Sequence, residues 1–192
     1  MTGADTRQHI LDAALVLMAD AGFTAMSMRQ LASVCETNVA IIYRHFASKE
    51  AILEAVVSER RVRVFDGPAP VGPGKDVEAT LTRLFVALLD RDPEYEQIYR
   101  IMFRGDARTN ARVVELRDEL FDAIEQAYKR WLVELFPSLA GRRDVGAIAR
   151  TLRTIVQGAY GELVLVPGQE RPKALRARAR ELARVLTPAL RA

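Results

Sequence analysis

Apolar residues along this chain recur at helical spacing almost throughout. Ile10, Ala13, Ala14, Leu17, Met18 and Ala21 follow an i, i+3, i+4, i+7 pattern that predicts a first helix over 6–21, stopped by Gly22. Ser27 and Gln30 have capping-box spacing and open a second helix whose inner face is Leu31, Ala32 and Cys35. Asn38 caps a short third helix running to about Phe46, and Ser48 caps a fourth through Leu53, Val56 and Val57 towards Val64. The stretch from Gly67 to Gly74 holds six glycines and prolines in eight residues and cannot be helical. Beyond it the spacing resumes at Leu81, Leu84, Phe85, Leu88 and Leu89, and Asp92-Pro93 starts a helix towards Met102.

A long helix follows with Val113, Leu116, Leu120, Ile124, Ala127, Trp131 and Leu135 on one stripe, then a loop from Pro137 to Arg143. The next helix, from Val145 past Leu163, is apolar around more than one face and ends at Pro167-Gly168. Pro172 opens a last helix with Leu175, Ala179, Leu182 and Leu186, expected to end near Pro188. No segment has the period of a strand. The expected fold is all-α, with about nine helices.

Composition supports a globular protein: 192 residues, 49% hydrophobic and 28% charged. No run of about 18 apolar residues offers a membrane span, and charged residues near the N-terminus argue against a signal peptide. A single cysteine, Cys35, excludes an internal disulfide, which suits a reducing compartment, so a cytoplasmic protein is expected. The net charge is +3, but residues 1–64 carry seven basic and seven acidic side chains. The basic excess lies at the far end, in Arg171, Lys173, Arg176, Arg178, Arg180, Arg184 and Arg191. These suit the solvated face of the last helix better than a second nucleic-acid contact.

Residues 27–46 have the dimensions of a helix-turn-helix: two short helices joined by a turn of about three residues. Leu31, Ile42 and Phe46 can bury, which turns Val39, Ala40, Tyr43 and Arg44 outward. Such a helix enters a major groove with its N-terminal residues at base edges. Gly22-Phe23-Thr24, Ser27-Met28-Arg29-Gln30-Leu31-Ala32, Ile42-Tyr43-Arg44-His45-Phe46 and Ser48-Lys49-Glu50-Ala51-Ile52-Leu53 together resemble the N-terminal signature of TetR-type transcriptional regulators. The resemblance covers about residues 6–56. It departs from the family at Glu36, where glycine is frequent, at Thr37 and at Val39.

The resemblance implies a homodimer that binds palindromic double-stranded operator DNA and dimerises through its last two helices. A helix-turn-helix domain would occupy residues 1–48. A ligand-binding and dimerisation domain would occupy 49–192, beginning with a connector helix over 49–65 and the breaker loop over 66–75. Carried over by position, Tyr43, His45 and Lys49 would touch phosphates, and Arg44 a base edge or phosphate. Ser27, Met28, Asn38, Val39 and Ala40 complete the expected DNA contacts. A small-molecule effector is expected, with Phe85, Tyr99, Met102, Phe103, Tyr128, Trp131, Gln157 and Tyr160 as candidate pocket residues. No metal or other cofactor is expected, because His9 and His45 have no clustered ligands at metal-binding spacing. Nucleophile-elbow, phosphate-loop and zinc-protease motifs are absent, so no enzyme is expected. The competing reading from another class is a helical protein-interaction module with no DNA role.

Overall fold

Helix α1 (Gly3–Ala21) ends as its sequence predicts: Gly22 takes φ 94° and its N–H bonds the Met18 carbonyl. The computed structural model describes residues 3–65, 67–90, 93–103 and 110–191, with the main chain alone at 60–64 and 191. The described residues form nine α-helices and contain no strand. After α1 come α2 (Met28–Val34), α3 (Val39–His45), α4 (Lys49–Phe65), α5 (Val77–Leu89) and α6 (Pro93–Phe103). The long α7 (Ala111–Leu135), α8 (Val145–Val164) and α9 (Arg171–Arg191) complete the chain, with a 3₁₀ turn over Pro137–Leu139. Asp92, expected to cap α6, and the Val64 side chain lie outside the described residues.

Packing divides the chain into two compact units, one of Met1–Val64 with Pro93–Leu120 and one of Phe65–Asp92 with Phe121–Ala192. In the first, α1 packs on α2 and α6, and α2 on α3. Its buried side chains include Ile10, Leu11, Leu15 and Met18 of α1, Leu31 of α2, Ile42 of α3, and Ile52 and Leu53 of α4. Each such side chain contributes about 1.5–3 kcal/mol through removal from water. The inner face of α1 is rotated from the expected stripe. Leu11, Leu15 and Ala19 are buried where Ala13 and Leu17 are half-buried and Ala21 is exposed. The helix is apolar on both sides, and the larger leucine face went inward.

In the second unit α5 lies along α9 and also meets α8, which packs on α9. Asp76 caps α5 by accepting from the Ala79 N–H at 2.8 Å. The breaker loop is tied to α7: Trp131 Nε1 donates to the Gly67 carbonyl at 2.9 Å, and the Glu134 carboxylate accepts from the Ala69 N–H at 3.0 Å. Helix α9 does not stop at Pro188 but runs through it. Pro188 is exposed and lies in the last turn, where its missing N–H leaves the Arg184 carbonyl without its helical donor. The buried Thr187 hydroxyl donates to the Ala183 carbonyl at 2.8 Å, binding the turn beside it.

Candidate nucleic-acid interface

The helix-turn-helix is built by local capping. The Ser27 Oγ accepts from the Gln30 N–H at 3.2 Å, and the Gln30 Oε1 accepts from the Ser27 N–H at 2.9 Å, which closes the box the sequence predicts. Asn38 Oδ1 accepts from the Ile41 N–H at 2.9 Å and starts α3. Between the two helices Glu36 takes φ 50°, in the left-handed region that favours glycine. That conformation explains why glycine is frequent here in the family the sequence resembles. Glu36 holds it at a cost of about 1–2 kcal/mol. Its side chain is exposed.

Ile42 is fully buried and Phe46 nearly so, and this fixes which face of α3 points outward. Tyr43 is 53% exposed, Arg44 and Ala40 are exposed, and Val39 is half-buried. These four, with exposed Asn38, form one outward face at the start and middle of α3. At the start of α2, Ser27 is exposed and Met28 half-buried. Arg7 rests over the Phe46 ring at 5.1 Å and pairs with Glu59 of α4, so the end of α3 is held from behind. Arg112 of α7 bonds Glu54, also on α4, at 2.7 Å.

Two residues expected at phosphates are placed differently. The Lys49 ammonium donates to the carbonyls of Phe23, Thr24 and Met26 at 3.0, 3.2 and 3.1 Å and lies 4.5 Å from the Phe23 ring centre. All three of its hydrogens are spent on the main chain, so Lys49 clamps the α1–α2 turn to the start of α4. A phosphate contact would require one of these bonds to be given up. His45 is half-buried, and its Nε2 is shut off from solvent with no hydrogen-bond partner among the described residues. A phosphate contact from this ring would have to come through Nδ1. Cys35, beside the turn, is 9% exposed, and burial raises its thiol pKa.

The eight candidate pocket residues fall in both units. Met102 is buried on α6, where the Tyr99 and Phe103 rings lie tilted with centroids 4.5 Å apart; burial, with Tyr95 nearby, raises the Tyr99 pKa. In the other unit Phe85, Tyr128 and Trp131 are at most 2% exposed and packed as core. Tyr160 borders a cavity of about 160 Å³ beside Leu89 and Arg171. Gln157 accepts from Arg153, whose guanidinium also bonds Glu125 at 2.8 Å and covers the Phe121 ring. Among the described residues no group of three or more His, Cys, Asp or Glu is placed to hold a metal ion. No described helix is long and apolar enough to cross a membrane.

Residues 10–56 match the family model of bacterial regulatory proteins, tetR family. The HTH-type transcriptional repressor KstR of Rhodococcus jostii (strain RHA1) is 27% identical, across 88% of this chain and 87% of that repressor. The HTH-type transcriptional regulator UidR of Escherichia coli (strain K12) is 34% identical over 58 residues, 30% of each chain. Among solved structures, Salmonella enterica GusR superposes with a TM-score of 0.72 at 23% identity, covering 96% of both chains. A SmeT–triclosan complex superposes with a TM-score of 0.70 at 21% identity, covering 96% of this chain and 90% of that one.

Proposed function

The chain belongs to the TetR family of bacterial transcriptional regulators, and from that premise we propose that it is a homodimeric repressor released from operator DNA by a small-molecule effector. The observation that carries the reading is the outward face of α3. Tyr43 and Arg44 project from a helix that is capped at its start by Asn38 and anchored behind by Ile42 and Phe46. With Val39 and Ala40 offering only apolar contact, direct readout rests on thymine methyl groups and on Arg44 at guanine. Backbone N–H groups at helix starts supply phosphate contacts, which is how a charge-neutral region of 64 residues can hold an anionic duplex.

Two copies of α3, related by the dimer axis through α8 and α9, would enter major grooves about 34–36 Å apart or a multiple of that. Gly158 on α8 is exposed and small, which suits close approach of a partner helix. The effector binds the 49–192 region, and its effect passes through α4, the connecting helix. By linkage it must bind the DNA-incompetent arrangement better than the competent one. The triclosan bound to SmeT supports a ligand of this general kind. The protein acts in the cytoplasm as a regulator, with no catalytic step and no metal or cofactor.

Selection of bound duplexes from a random library, followed by footprinting of the winner, tests this reading. A palindrome protected on two successive major-groove faces is the expected outcome. A folded protein that enriches no duplex at physiological salt refutes the DNA role and leaves a protein-interaction module.

A further inference from the structure

Arg7, near the start of α1, touches two other helices of the first unit. Its guanidinium lies 5.1 Å from the centre of the Phe46 ring, at the end of α3, and bonds the Glu59 carboxylate on α4. The Arg7 and Glu59 side chains are each 40% exposed, whereas Phe46 is 5% exposed. The first contact bears on α3. Phe46 is the C-cap of that helix, its N–H bonds the Ile42 carbonyl at 3.0 Å, and Tyr43 and Arg44 lie just before it. The second contact bears on α4 at a point ten residues past Lys49, about 15 Å along the axis. Residues 46–48 alone separate α3 from α4, so one side chain spans the joint and meets both helices it connects. Glu54, five residues earlier and about 140° around α4, is bonded by Arg112 of α7, which pins α4 from a second direction.

We propose that Arg7 is a positioning residue for DNA readout, a brace that sets the angle between α3 and α4 without touching the duplex; this rests on the DNA-binding reading above. A guanidinium beside a helix-turn-helix would ordinarily be read as a phosphate contact. Here it lies over the Phe46 ring and is neutralised by Glu59, and that carboxylate would repel an approaching phosphate. Recognition side chains must sit within about 0.5 Å and 10–20° of the productive geometry, and Arg7 adds the constraint that a three-residue joint lacks. Each contact is small: a half-exposed ion pair, or a cation over a ring, shifts a population by up to about fivefold. Affinity scales with the fraction of protein in the competent arrangement, so cutting these contacts lowers operator affinity by factors of that size.

Titration of the full chain with its selected operator, across a range of salt, tests the brace through the sign of one substitution. Glu59→Gln removes a negative charge, and such a change on a DNA-binding surface ordinarily strengthens binding. With Arg7 as a brace, Glu59→Gln instead weakens operator binding about three- to fivefold and leaves the salt slope unchanged. Arg7→Met should weaken it about five- to twentyfold, again at constant slope. The two losses should not add: the double variant should bind within about twofold of Arg7→Met. Arg7→Lys keeps a cation over the ring and beside Glu59 and should retain most of the affinity. Circular dichroism at the titration temperature checks that each variant is folded. Should Arg7→Met fail to fold, Glu59→Gln decides alone, because Glu59 is exposed on α4. Equal or tighter operator binding by Glu59→Gln overturns the brace. A salt slope that falls by about one unit per protomer in Arg7→Met makes Arg7 a phosphate ligand and also overturns it. A wild-type chain that enriches no duplex refutes the DNA reading and the brace together, whereas either of the two preceding results in a chain that binds its operator refutes the brace alone.

Discussion

Replacing Lys49 with methionine removes a charged clamp while leaving most of the stem that packs beside Phe23. The ammonium makes three bonds of 3.0–3.2 Å to main-chain carbonyls and lies 4.5 Å from the Phe23 ring centre. A hydrogen bond to a charged group is worth about 1.5–3 kcal/mol, but three from one half-exposed ammonium do not add. The ring contact contributes about 0.5–1 kcal/mol at such a site. Water can reach the carbonyl of exposed Thr24 after the change, whereas Phe23 and Met26 are buried residues whose carbonyls are harder to hydrate. The expected loss is therefore about 2–3 kcal/mol, which for a chain of this size lowers the thermal midpoint by roughly 5–10 °C. Urea denaturation followed by helical ellipticity measures the loss, and operator titration at several salt concentrations measures the binding. If Lys49→Met keeps its stability within about 0.5 kcal/mol while the salt slope of operator binding falls by about one unit, the ammonium is a phosphate ligand and the clamp argument is wrong.

Three other outcomes follow from the same region. Glu36→Gly should raise stability by about 0.5–1 kcal/mol, because relief of the left-handed strain exceeds the entropy that glycine adds to the unfolded chain; a destabilised variant in the same denaturation assay would contradict the φ of 50°. Cys35 should resist iodoacetamide at pH 8 in the folded protein and react on unfolding, since burial favours the neutral thiol. The sign for stability follows: the folded state disfavours the thiolate, so stability is lost as pH rises past the ordinary thiol range, and fast alkylation of native protein would refute the burial. Arg44→Ala should erase discrimination at one operator position, by about 1–3 kcal/mol in competition binding; uniform weakening across all duplexes would make Arg44 a phosphate contact.

Local signals carried most of what was legible in the sequence. The Ser27–Gln30 box and the Asn38 cap form as their spacing requires, because these bonds depend on residues three apart and on little else. The outward face of α3 followed from Ile42 and Phe46 lying four apart. Tertiary choices were less visible. The α1 stripe rotated because the helix offers leucines on both sides and packing chose between them. Pro188 reads as a stop, yet an exposed ring in a last turn costs the helix little. Lys49 did leave a signal: a cation at the positive end of α4 is unfavourable unless acceptors offset it, and three carbonyls from 23 residues or more upstream do so. The large aromatics suggested a pocket, and Phe85, Tyr128 and Trp131 are residues that fill a core well, which spacing along a helix alone does not distinguish.

The central claim is that the outward face of α3 reads duplex DNA. Fluorescence anisotropy of the purified protein with its selected operator, set beside a scrambled duplex across a range of salt, measures that directly. The account predicts a preference of at least about 10³-fold for the operator and a steep fall in affinity with salt. Equal, salt-insensitive affinity for the two duplexes would contradict it.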